Sequence, residues 1–132
     1  MKRSAYLLLS GLIALAIGTF ALLAPEILLA SKGVSSAAAN VWMQEVGVML
    51  IAVGILAVMV RHHEDSPTLK AILFCNVVIQ VGLFAIEAFA YRNGTITLLS
   101  GIVPNLILHV CLAVGLIYYI VTMPDSSQRT AC

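Results

Sequence analysis

Four long apolar runs, separated by short polar breaks, make up almost the whole chain. They cover residues 5–24, 38–60, 67–91 and 97–123. At about 1.5 Å of helix rise per residue, each can cross a hydrocarbon core of about 30 Å. In lipid every backbone N–H and C=O must find its partner inside the segment, so each run predicts a helix. The pattern predicts an all-α polytopic membrane protein: a four-transmembrane-helix bundle forming one domain over 1–132.

Local signals set the expected boundaries. Pro25 ends the first run and leaves Glu26 at the interface. The stretch "PEILLASKGVSSAAAN" is the longest connection; Ile27 to Ala30 is apolar enough to lie in the interface, Lys32-Gly33 breaks it, and Ser35 or Ser36 is placed to cap the second helix. Ser66 followed by Pro67 is a capping hydroxyl with proline at the first helical position. Asn93-Gly94 predicts a tight turn with positive φ angles. Pro104 removes the hydrogen bond to the Ser100 carbonyl and is expected to loosen the fourth helix between Gly101 and Asn105. Pro124 stops that helix, and "DSSQRTAC" reads as a polar tail. A basic start before an apolar run also suits a secretory signal, but this run is longer than a signal core and further spans follow.

Glycines recur at seven-residue spacing, Gly11 and Gly18 in the first run, Gly47 and Gly54 in the second. Small residues repeated in this way let helices approach closely in lipid, so the first two helices are expected to pack along them.

The rare polar positions carry the functional reading. In "NVVIQVGLFAIE" only Asn76, Gln80 and Glu87 are strongly polar. At about 100° per residue they share an arc of about 40°, spread over about 16 Å of helix axis. Such side chains are expensive in hydrocarbon and must face another helix or trapped water. The fourth helix offers Asn105 and His109 at i and i+4, on one face. The second offers Gln44 and Glu45 a turn inside its start, beside Trp42, whose indole suits the interface. Depth along each span brings Glu45, Gln80, Glu87, Asn105 and His109 into one expected pocket opening outward. Gln44, Asn76 and Trp42 form a secondary set around it. The structural alternative makes the amides and His109 interhelical glue, with Glu45 and Glu87 reaching the interface beside Lys32 or Arg92.

Composition agrees with the pattern: 61% of the 132 residues are hydrophobic and 10% charged, with a mean hydropathy of +1.06. Soluble domains are far more charged. A net charge of +1 and the lack of any basic patch exclude nucleic acid as an expected partner. Cys75, Cys111 and Cys132 form no C-x-x-C pair, so neither a thiol relay nor a structural zinc site is expected; Cys75 and Cys111 read as small apolar filler. Two carboxylates and one buried-helix histidine are too few for an assigned metal site, and the cofactor is unknown from sequence. Adjacent His62 and His63 belong to the charged turn "RHHEDSPT" and read as solvated. Lys2, Arg3, Arg61, Lys70 and Arg129 fall on one side, Lys32 and Arg92 on the other. The excess puts both termini in the cytoplasm of an inner (plasma) membrane protein.

The glycine-spaced first helix ending in "LLAP", the second beginning "NVWMQEVG" with Gly54 beyond it, and two polar-bearing helices after a short turn resemble the layout of DoxX-like small bacterial membrane proteins. Some members of that group resemble subunits linked to quinone-dependent oxidation; the resemblance carries over no site residue. A fainter likeness is to four-helix sterol isomerases, where Glu45, Glu87 and His109 would be the corresponding chemistry. The expected function is that of a ligand-binding or accessory membrane subunit. An intramembrane acid/base enzyme on a lipophilic substrate and a small proton-coupled transporter are the alternatives. The expected partners are the lipid bilayer, a lipophilic small molecule, and a larger membrane complex or a second copy of the chain.

Overall fold

The computed structural model describes residues 1–124; the expected polar tail, with Arg129 and Cys132, lies outside the described residues. The helices are α1 (Arg3–Leu23), α2 (Pro25–Ser31), α3 (Ala37–Val60), α4 (Pro67–Arg92) and α5 (Leu99–Thr122). Four of them, α1, α3, α4 and α5, are 21 to 26 residues long and apolar enough to span a membrane. The protein is an all-α, multi-pass membrane bundle. Sequence boundaries and observed ends agree to within two residues, except that part of the first connection forms the additional short helix α2.

Signals in the sequence account for several of the ends. Ser36 Oγ accepts from Ala39 N at 3.4 Å to start α3, and Ser66 Oγ accepts from Leu69 N at 3.1 Å to start α4. Pro25 closes α1 and occupies the first turn of α2. Both α2 and α4 end in a left-handed glycine, Gly33 at φ 75° and Gly94 at φ 74°. In each, the residue after glycine returns to a helix carbonyl: Val34 N to Leu29 O at 3.0 Å, and Thr95 N to Ala90 O at 2.9 Å. The expected Asn93-Gly94 turn is present, with a positive φ at Gly94 alone. A cap of this type needs one left-handed residue, so Asn93 stays at φ −86°. The α5 helix continues through Pro104.

The helices associate as two pairs. α1 runs antiparallel to α3 with the glycines in register. A Cβ at Gly11 would lie 2.9 Å from Gly54 O, and one at Gly18 would lie 2.8 Å from Gly47 O. Only hydrogen atoms fit there, so the backbones touch. α4 packs against α5 to form the second pair.

The pairs meet at two closures. Near the chain start a buried cluster includes Tyr6, Leu7, Val60, Leu69, Leu73 and Leu116. Tyr6 tightens it: its hydroxyl donates to Leu112 O at 2.6 Å and its ring lies against the bare backbone of Gly115. Arg3 pairs with Asp65 across the same end and donates to His63 O at 2.5 Å. At the other end Lys32 O accepts from Thr97 N at 3.1 Å and Leu98 N at 3.3 Å, tying the α2–α3 connection to the α4–α5 turn. Gly101 admits the Ser31 backbone beside this junction. Cys75 and Cys111 are exposed rather than filling the core, since both lie on outer faces of the α4–α5 pair.

Candidate functional site

Between the two closures the helix pairs stand apart around a cavity of about 500 Å³. Its wall is apolar over most of its extent, with Ile13, Ile17, Met43, Leu50, Leu83 and Leu108 among the residues lining it. The polar exceptions are Ser10, Lys32, Asn76, Gln80, Glu87, Asn105 and His109.

Five of these form one chain of hydrogen bonds. Lys32 Nζ donates to Glu87 Oε1. Asn105 Nδ2 donates to the same oxygen at 2.7 Å and lies 3.3 Å from His109 Nε2. His109 Nδ1 lies 2.6 Å from Gln80 Oε1. One assignment satisfies every partner: a neutral imidazole, donating from Nδ1 to the Gln80 carbonyl oxygen and accepting at Nε2 from Asn105. The chain then runs from Lys32, after α2, through Glu87, Asn105, His109 and Gln80 along the facing sides of α4 and α5.

Local sequence explains this alignment. The arc carrying Asn76, Gln80 and Glu87 is the α4 face turned to α5. The i, i+4 pair on α5 meets it at matching depth because the helices are antiparallel neighbours. Gln80 and His109 are each 8% exposed, so their mutual bond is what keeps either from being an unsatisfied polar group in hydrocarbon. Glu87 is less complete. Its Oε2 is buried and makes no hydrogen bond. Asn76 lines the cavity a turn away from Gln80 and makes no side-chain hydrogen bond among the described residues.

The remaining sequence candidates are elsewhere. Glu45 is exposed and does not line the cavity, and neither do Gln44 and Trp42. On α3, Gly47 is committed to α1, and Glu45 lies about 160° round the helix from it, on the outer face. Gln44 is nearer the seam and donates to Leu22 O at 3.2 Å, where a carbonyl of the last α1 turn lacks its helical partner. Trp42 is 67% exposed, as an interfacial indole would be. The sequence expectation of convergence therefore applies to Gln80, Glu87, Asn105 and His109, with Asn76 beside them, and not to Glu45.

The sequence places Lys32 in the first connection, at the interface on the outer side, as a neighbour for a carboxylate. It is in fact 8% exposed and part of the cavity wall. The available signal was its position: a lone cation followed by a helix-ending glycine, in a connection otherwise apolar enough to fold back on the bundle. Arg92, the other cation expected on that side, is exposed. Among the described residues no group of three or more His, Cys, Asp and Glu side chains is placed to hold a metal ion.

No protein-family model, curated protein or solved structure matches this chain.

Proposed function

We propose that this membrane protein binds a lipophilic small molecule in the cavity between its helix pairs, acting as a ligand-binding or accessory subunit of the inner membrane. The observation that carries the reading is the joined polar chain from Lys32 to Gln80 on one wall of an otherwise apolar space. Cavities of about 300–1,000 Å³ with a few convergent polar groups are typical of small-molecule sites. Helix glue alone needs the hydrogen bonds but not the space beside them. The resemblance in layout to DoxX-like proteins belongs to the same reading.

A binding role is favoured over acid/base catalysis by the position of Asn105. Its amide separates the Glu87 carboxylate from the His109 ring, and an amide NH₂ that donates to both passes no proton between them. Both termini face the cytoplasm in this proposal, with Lys32 and the closure it forms on the opposite side. A Glu64→Cys variant in a background lacking the native cysteines should then react with impermeant maleimide only after the cytoplasmic face is opened.

Native mass spectrometry of protein extracted gently from its own membrane, with metal analysis on the same sample, tests the binding role. The expected result is a stoichiometric lipophile that is lost or replaced in Glu87→Gln and His109→Ala but kept in Glu45→Gln. A bare chain, or an adduct indifferent to both cavity substitutions, would overturn it.

A further inference from the structure

The charge arrangement of the cavity constrains what kind of lipophile fits. This step rests on the binding role proposed above and concerns only the ligand's chemical class. The ionisable groups facing the cavity are Lys32, Glu87 and His109. Lys32 and Glu87 are paired, with side-chain exposures of only 11% and 12%. Whichever of the two holds the shared proton, together they carry no net charge. The neutral tautomer of His109 satisfies both of its neighbours, so the ring adds none.

A second ion placed beside this pair would have no counter-charge. A carboxylate would sit against a cation already matched by Glu87, and an ammonium against an anion already matched by Lys32. An unpaired charge in a low-dielectric space costs several kcal/mol, which exceeds what one extra hydrogen bond returns. An uncharged head group meets no such penalty.

Hydrogen bonding narrows the class further. Glu87 Oε1 accepts from both Lys32 and Asn105, while Oε2 is buried with no donor. A buried carboxylate oxygen left without a partner is costly, so what Glu87 lacks is a donor. The last torsion of a glutamate side chain is soft, so a small turn of the carboxyl group presents Oε2 to the cavity that Glu87 already lines. We infer that the cavity takes an uncharged lipophile bearing a hydroxyl group, an alcohol or phenol, whose O–H donates to the Glu87 carboxylate while its apolar body fills the space between the helix pairs.

The inference makes a charge-swap prediction. Lys32→Met leaves the Glu87 carboxylate unmatched and should turn the preference toward a lipophilic amine. Glu87→Gln leaves Lys32 unmatched and should turn it toward a lipophilic acid. Because both substitutions break a buried pair, Lys32→Gln and Glu87→Met serve as second variants should either fold poorly.

The experiment is competition among dodecanol, dodecylamine and dodecanoic acid for the full chain in neutral detergent at pH 7, read as relative occupancy by native mass spectrometry. Val53→Trp, which fills the cavity from α3, is the control for location. The expected result is dodecanol preferred over both ions by about tenfold or more, a difference worth about 1.4 kcal/mol. The preference should invert in opposite directions in the two charge variants, and Val53→Trp should abolish occupancy. Occupancy sensitive to Val53→Trp but led by the acid or the amine would overturn the ligand class and leave the binding role standing. Occupancy of all three that ignores Val53→Trp, or no occupancy at all, would overturn both.

Discussion

Lys32 and Glu87, 55 positions apart in the chain, form the ion pair that closes one end of the intramembrane cavity. Lys32 is placed there by its own backbone, whose carbonyl accepts from Thr97 N and Leu98 N at the α4–α5 turn. Glu87 is placed by the α4 face it shares with Gln80 and Asn76. The pair therefore links the connection after α2 to the far helix pair, at a level where neither charge is free to reach water.

Breaking that pair should hurt more than deleting it. Lys32→Met or Glu87→Met alone leaves a buried partner uncompensated, and a loss of about 3–5 kcal/mol is expected. The double variant Lys32→Met/Glu87→Met should lose less than the sum of the singles. Unfolding of the four proteins in one detergent gives the coupling, and strict additivity would mean that the two side chains do not act as a pair.

The glycine seam makes a second prediction. A Cβ at Gly47 would lie 2.8 Å from both Gly18 O and Leu22 N, so Gly47→Ala must push α1 off α3. A loss of about 1–3 kcal/mol is expected. At Gly82 an added Cβ meets nothing within 4 Å, and alanine there should be neutral or stabilising by up to about 1 kcal/mol. Thermal midpoints of the two variants measured side by side check the contrast.

Tyr6→Phe removes the hydroxyl that joins α1 to the Leu112 carbonyl on α5 while keeping the ring against Gly115. Interhelical bonds of this kind are worth about 0.6–1.7 kcal/mol in membrane proteins. A loss in that range is expected, without change in ligand occupancy, because the hydroxyl belongs to the closure at the chain start. A larger loss would point to a rearranged ring.

Glu45 and Glu64 provide the negative half of the site prediction. Glu45→Gln, on the outer face of α3, and Glu64→Gln, in the α3–α4 turn, should leave dodecanol occupancy unchanged, whereas Glu87→Gln alters it. Equal effects from the three carboxylates would remove the cavity from the account. Native mass spectrometry of the three variants at one probe concentration decides this.

How far each residue was legible depends on which kind of information places it. The α4 stripe and the Asn105–His109 pair follow from helical period alone, because a polar side chain in a long apolar run has one face to avoid. Glu45 departs from the expected pocket because the sequence shows its depth in the span but not its direction: α3 is apolar nearly all round. Its glycines held the missing information. Once Gly47 and Gly54 are committed to α1, Glu45 must point away from the bundle.

The sequence by itself determined the four spans, the serine caps that start two of them and the seven-residue spacing of the glycines. Apolar run length, backbone hydrogen bonding in lipid and capping chemistry act within a few residues of each other, so no distant contact is needed to set them. The tertiary structure decided that Lys32 is a wall residue instead of an interfacial one, that Glu87 has one oxygen satisfied and one not, and that the helix pairs stand apart instead of closing. Each of these depends on where one connection folds back across another pair of helices, a relation that neighbouring residues do not encode.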